Sequence, residues 1–149
     1  MPISEICNRE VVIVQRDSSI LEAAQLMRQH HVGDVLVVED RKGVRVPLGI
    51  ITDRDLVVEI MAPELDPVVI TVSDIMVPDL VTVKKDTGVF EAIQYMRAKG
   101  VRRLPVVDDS GGLIGILTLD DLLELLAEEL LALSKLVKYE QKKETMNRR

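Results

Sequence analysis

Two residue pairs carry the clearest chemical potential in this chain, Thr52 with Asp55 and Thr118 with Asp121. A threonine followed three residues later by an acid, at a strand-to-helix junction, is a capping box. The same place also suits a ligand. A helix N-terminus offers unpaired N–H groups and the positive end of a dipole, where a phosphate settles. The threonine hydroxyl can add a hydrogen bond, and an ionised aspartate can accept from both hydroxyls of a ribose. Capping and ligand binding are compatible readings, and both stay open at this point. Other reactive side chains carry less. Arg102 and Arg103 form either a phosphate clamp or a solvated loop pair. His30 and His31 sit at a helix end, where solvated histidines complement the dipole, and no clustered ligands accompany them. Cys7 has no neighbouring histidine pattern that would make it a nucleophile. No Ser-His-Asp arrangement, Walker loop or dinucleotide fingerprint is present. The expectation is a protein without catalysis, metal or required cofactor.

The elements that must position these residues are written twice. Asp17, Glu22, Ala23, Gln25, Met27 and Arg28 recur as Asp86, Glu91, Ala92, Gln94, Met96 and Arg97, at an offset of about 69 residues. The register resumes at Gly49-Ile-Ile-Thr52-Asp-Arg-Asp55-Leu56 over Gly115-Ile-Leu-Thr118-Leu-Asp-Asp121-Leu122. Between these blocks the first copy carries about three extra residues near Arg41 to Pro47, which suggests a longer hairpin loop. Each copy opens with a short strand, Val11 to Val14 or Leu80 to Val83. A helix follows, with apolar positions Ile20, Ala23, Ala24, Met27 in one copy and Val89, Ala92, Ile93, Met96 in the other. Ser19 with Glu22 predicts a capping box for the first, and Gly88 with Glu91 a weaker one for the second. A hairpin comes next, Val35 to Val38 with Leu48 to Thr52, then Leu104 to Val107 with Leu113 to Thr118, the latter turning at Asp108 to Gly112. A helix closes each copy, the first ending near Ala62-Pro63, with Ala62 to Ser73 as connector. The pattern is β-α-β-β-α in tandem, an α+β sandwich. Its predicted divisions are 1–66, 67–126 and a C-terminal helical extension over 127–149.

Composition narrows the function classes. A hydrophobic share of 47% predicts a packed core. Aromatics at 2% provide no platform for stacking bases, and a net charge of −6 argues against a nucleic-acid footprint. A single cysteine suits a reducing compartment, and no signal segment or membrane-length apolar run is present, so a cytoplasmic protein without a membrane partner is expected.

With these motifs in view, the chain resembles the cystathionine-β-synthase (CBS) domain pair, or Bateman module. Three patterns carry the likeness: Ser73-Asp74-Ile75-Met76 ahead of Leu80-Val81-Thr82-Val83, Val101-Arg102-Arg103-Leu104-Pro105-Val106-Val107-Asp108, and the duplicated Gly-aliphatic-aliphatic-Thr-x-x-Asp. They span roughly Ile6 to Leu126. The first copy departs at Leu36, where the family usually has the proline seen at Pro105, and an altered loop is expected there. The resemblance implies pseudo-two-fold symmetry and adenosine-ligand clefts between the repeats. Each cleft would combine the Thr-x-x-Asp of one copy with the first strand and pre-strand loop of the other. One site would then comprise Thr52, Asp55, Met76, Val81, Val101, Arg102 and Arg103. The other would comprise Thr118, Asp121, Cys7, Val12, Val32, Gly33 and Asp34. The arginines favour a phosphorylated adenosine at the first site, whereas Asp34 would repel phosphate from the second.

The implied function is a regulatory module that binds AMP, ADP or ATP and signals in trans to a protein target. The alternatives are a ligand-free dimerisation scaffold, or a sensor of S-adenosylmethionine or NAD. A last pattern lies in the tail. Leu122, Leu126, Leu130, Leu133 and Val137 form a helical stripe widened by Leu123 and Leu131, which predicts pairing in a homodimer, with fraying beyond Lys138.

Overall fold

A parallel pair of strands needs a crossover, and each repeat supplies one with a helix. In the computed structural model, which describes residues 1–147, the first repeat pairs β1 (Ile13–Gln15) parallel to β2 (Asp34–Arg41). Helix α1 (Ile20–His30) makes the crossover, and β2 turns back antiparallel into β3 (Val44–Thr52). After β3 the chain enters α2 (Asp53–Asp55) and continues as a wider π turn over Leu56–Met61. A short helix, α3 (Val72–Ile75), leads into the second repeat. There β4 (Val83–Lys84), α4 (Val89–Lys99), β5 (Arg103–Val107) and β6 (Leu113–Thr118) repeat the same three-stranded order, and α5 (Leu119–Asn147) follows. The β-α-β-β-α order expected of each copy is the observed one.

The helices form where the apolar spacing places them. Ile20, Ala23 and Met27 of α1 are buried, as are Val89, Ala92 and Met96 of α4. Ser19 Oγ accepts from the Glu22 N–H at 3.1 Å, while Gly88 offers α4 no side-chain cap. Both sheets carry a register shift at the same place, Val37/Val38 and Val106/Val107.

Three local expectations are corrected. Leu36 does not open an altered loop: it is fully buried in β2, and its N–H donates to Val12 O at 2.9 Å. Proline has no N–H to give, so at Pro105 the matching bond is missing. The parallel ladder there begins later, at Val83 with Val106, than the Ile13 with Leu36 pair of the first repeat. The extra residues near Arg41 to Pro47 lengthen the strands themselves, which meet at Lys42-Gly43, both with positive φ (54° and 83°). Helix α5 runs on past Lys138 to Asn147 without a break.

The two repeats exchange their leading segments. Ile3, fully buried, belongs to the core of the second repeat with Val83, Leu104 and Leu117. Val72, equally buried, belongs to the core of the first with Val14, Val35 and Ile51. The backbone bonds match pairwise: Ile3 N–H to Thr87 O and Val72 N–H to Ser18 O, both at 2.9 Å, and Ser4 N–H to Lys85 O and Ser73 N–H to Arg16 O, both at 3.3 Å. Strands β3 and β6, one from each repeat, also touch each other. Among the described residues no helix is long and apolar enough to cross a membrane.

Candidate functional site

Both Thr-x-x-Asp pairs fold as capping boxes. Thr52 N–H donates to Asp55 Oδ2 at 2.8 Å, and Asp55 N–H donates to Thr52 Oγ1 at 3.2 Å. Thr118 and Asp121 repeat this at 3.1 and 3.2 Å. Capping uses only Oδ2 of each carboxylate, and each threonine hydroxyl acts there only as an acceptor. One carboxylate oxygen and one hydroxyl proton of each pair thus stay open for a ligand.

The loop ahead of β2 or β5 is pinned to the helix that follows the same repeat's third strand. Asp53 N–H donates to Gly33 O and Leu119 N–H to Arg102 O, both at 2.9 Å. Gly33 sits close to the helix start, since a Cβ there would lie 3.2 Å from an Asp53 carboxylate oxygen, a contact that the exposed Asp53 side chain could relieve with a small shift. These bonds correct one expectation. In α2 the Asp53, Arg54 and Asp55 N–H groups are all taken by protein oxygens, so the helix N-terminus is not an open phosphate cradle. Charged side chains must supply anion contacts at that end.

Two clefts flank this arrangement. The first, about 350 Å³, is lined by Ile50, Thr52 and Asp55 of the first repeat and by Val77, Asp79, Leu80, Val81, Val101, Arg102 and Arg103 of the second. The second, about 470 Å³, is lined by Thr118, Asp120, Asp121, Leu119 and Ile116 on one side and by Asn8, Glu10, Val11, Val12, Val32, Gly33 and Asp34 on the other. Arg102 and Arg103 line this cleft too. The arginines therefore do not belong to one site alone. Arg103 Nε donates to Asp34 Oδ2 at 2.8 Å, with the two side chains 35% and 20% exposed. Asp34 is thus partly neutralised, which softens the repulsion of phosphate expected from it.

Of the anticipated residues, Thr52, Asp55, Val81, Val101, Arg102 and Arg103 come together in the first cleft, and Thr118, Asp121, Val12, Val32, Gly33 and Asp34 in the second. Met76 and Cys7 line neither. Both are half-buried and turn against a strand glycine: a Cβ on Gly49 would meet Met76 Sδ at 2.9 Å, and one on Gly115 would meet Cys7 Sγ at 3.0 Å. Burial pushes the Cys7 thiol up from its ordinary pKa, with Arg9 opposing. The next residues along, Val77 and Asn8, face the clefts instead. Alternation along an extended segment, together with the glycines opposite, was the signal that could have made this choice. Glu10 and Asp79, at matching positions of the two copies, were also missed.

The charge balance differs between the clefts. Two acids, Asp55 and Asp79, face the two arginines in the first. Four acids, Glu10, Asp34, Asp120 and Asp121, face them in the second. His30 and His31 are exposed at the end of α1, and among the described residues no group of three or more His, Cys, Asp or Glu is placed to hold a metal.

Comparison with known proteins agrees with the repeated architecture. The CBS domain family model matches residues 3–62 and again 72–128. An uncharacterized protein of Methanopyrus kandleri is 39% identical over 122 residues, covering 82% of this chain and 61% of that one. Inosine-5'-monophosphate dehydrogenase of Methanocaldococcus jannaschii is 34% identical over 120 residues, covering 80% of this chain but 22% of the enzyme. This chain thus spans less than two thirds of either relative. The hexameric CBS-CP12 protein from bloom-forming cyanobacteria superimposes with a TM-score of 0.73 at 26% identity, covering 83% of this chain and 66% of that one. A regulatory module type also found within a dehydrogenase, matched twice along the sequence and folded as two exchanged halves, places this chain in the CBS-domain family as a tandem pair.

Proposed function

We propose that this protein is a regulatory module that binds an adenosine-containing nucleotide, AMP, ADP or ATP, in the clefts between its repeats and signals in trans to a protein target in the cytoplasm. One observation carries the reading: the first cleft sets the capped Thr52/Asp55 pair of one repeat opposite Val81, Arg102 and Arg103 of the other. The open Asp55 oxygen suits ribose hydroxyls, the aliphatic walls suit a buried adenine, and the arginines suit phosphate. The phosphorylated ligand prefers this cleft, because the second holds twice the acids against the same arginines.

Calorimetric titration with AMP, ADP and ATP tests this, with S-adenosylmethionine and NAD as further ligands. Binding in the micromolar range, about −8 kcal/mol, is expected for at least one phosphorylated adenosine. Asp55→Ala should weaken it roughly ten- to a hundredfold, the ~1.5–3 kcal/mol of charged hydrogen bonds lost. Because Asp55 also caps α2, Arg102→Ala is the control variant, since its guanidinium has no protein hydrogen bond or ion pair among the described residues. Unchanged affinity in both variants would move the site elsewhere, and no heat with any ligand would overturn the reading. The completed capping boxes favour a second reading, a scaffold in which Thr-x-x-Asp serves helix starts alone. Absence of thermal stabilisation by every ligand would support it.

A further inference from the structure

Helix α5 spans Leu119–Asn147, about 43 Å at the usual rise. Its first turns rest on the second repeat through buried Leu122 and partly buried Leu125. The rest stands clear of the protein, and from Glu128 to Asn147 every residue is exposed. A solvated helix of this length would be polar all round. This one is not. Leu123, Leu126, Leu130, Leu133 and Val137 follow one another at spacings of three and four, and Leu130, Leu133 and Val137 are 68%, 59% and 54% exposed. That spacing is a two-helix seam.

Charge along the helix says what covers it. Asp120, Asp121, Glu124, Glu128 and Glu129 give the first third five acids and no base. Lys135, Lys138, Lys142 and Lys143 make the later part predominantly basic. Two copies laid parallel would set acid along acid and lysine along lysine. Laid antiparallel, the acidic third of each lies along the basic part of the other, and the helix dipoles oppose.

We propose that α5 pairs with α5 of a second copy as an antiparallel two-helix seam centred between Leu131 and Ala132. In this register Leu130 meets the partner's Leu133, and Leu126 meets the partner's Val137. Leu126 and Leu123 also wall an apolar groove of about 360 Å³ between α4 and α5, so the seam continues into the body of the protein. The partner is another copy of this chain, because the two charge blocks that complement each other lie on one helix.

Mass measurement and directed crosslinking on the full chain test the pairing. Light scattering of the wild type should give at least twice the 16.7 kDa chain mass. Leu130→Lys with Leu133→Lys should halve the assembly while leaving helical circular dichroism intact. For orientation, Leu126→Cys and Val137→Cys are made separately in a Cys7→Ala background. A mild oxidant should join the two proteins when mixed and neither one to itself, since antiparallel copies of position 126 lie about 16 Å apart along the seam. Crosslinking of Leu126→Cys to itself would show a parallel pair and overturn the orientation. A wild-type mass of one chain, or no crosslink in any combination, would overturn the pairing altogether, even if the lysine variant failed to fold.

Discussion

Arg103 stands at the boundary of two clefts with its Nε on Asp34 at 2.8 Å, so one of its five N–H groups is held by Asp34 while the remaining four can meet an anion. The pair is about a third exposed on its arginine side, and solvent screening keeps its own worth near ~1 kcal/mol or less. Its influence on an incoming anion has a definite sign. Asp34→Ala removes a negative charge and frees Arg103, so AMP should bind about three- to tenfold more tightly. Arg103→Ala leaves Asp34 unpaired and should weaken AMP by a similar factor or more. Titration calorimetry on both variants decides, and unchanged or tighter AMP binding in Arg103→Ala would show that Arg103 does not reach the phosphate. The candidate residues were legible as types, through the duplicated Thr-x-x-Asp and the contrast of Arg102-Arg103 with Gly33-Asp34. What sequence could not give was the ion pair joining that contrast across 69 positions. A side chain's partner depends on where the other repeat places its loop, and no local pattern encodes that.

At the scale of elements, the pre-strand segments show how matched positions diverge. Asn8 exchanges two 2.9 Å backbone bonds with Ile116, tying the first segment to β6. A Cβ on Gly115 would lie 2.5 Å from Asn8 O, a backbone atom that cannot move without breaking this pair. A Cβ on Gly49 would meet Met76 Sδ at 2.9 Å, which can swing away, and Met76 Cβ at 3.1 Å, which asks for only a small shift. Gly115→Ala should therefore cost about 1–3 kcal/mol, and Gly49→Ala clearly less. Denaturant unfolding of both variants checks the order, and equal losses would contradict it. Helices α1 and α4 could be read from their apolar spacing because burial of one face selects them. The first strands were read too long, Val11 to Val14 against Ile13–Gln15 and Leu80 to Val83 against Val83–Lys84. Val11, Val12, Leu80 and Val81 are as apolar as strand residues, yet they wall the clefts. Apolarity alone does not distinguish pairing from lining.

Across the whole molecule, the exchange of leading segments makes each repeat complete only in the presence of the other. Ile3 is fully buried in the second core, and Ile3→Ala should cost ~2–5 kcal/mol, a fall in Tm of about 5–15 °C. Because that core also depends on its neighbour, calorimetry should show one transition moving as a unit. Two transitions, with only one displaced, would mean that the repeats fold separately. The duplicated order of strands and helices followed from self-comparison of the sequence, since matching patterns imply matching folds. The exchange did not, because Ile3 and Val72 look the same whichever core receives them. It also gives biosynthesis a direction. Val72 emerges when its receiving repeat is already made, whereas Ile3 and Asn8 leave the ribosome first and find Thr87 and Ile116 only later. At 5–20 residues per second, the N-terminal segment waits roughly 4–22 seconds for its seat. During that interval Ile3 has no core to enter, and the waiting segment is exposed to chaperones and to neighbouring chains on the same message.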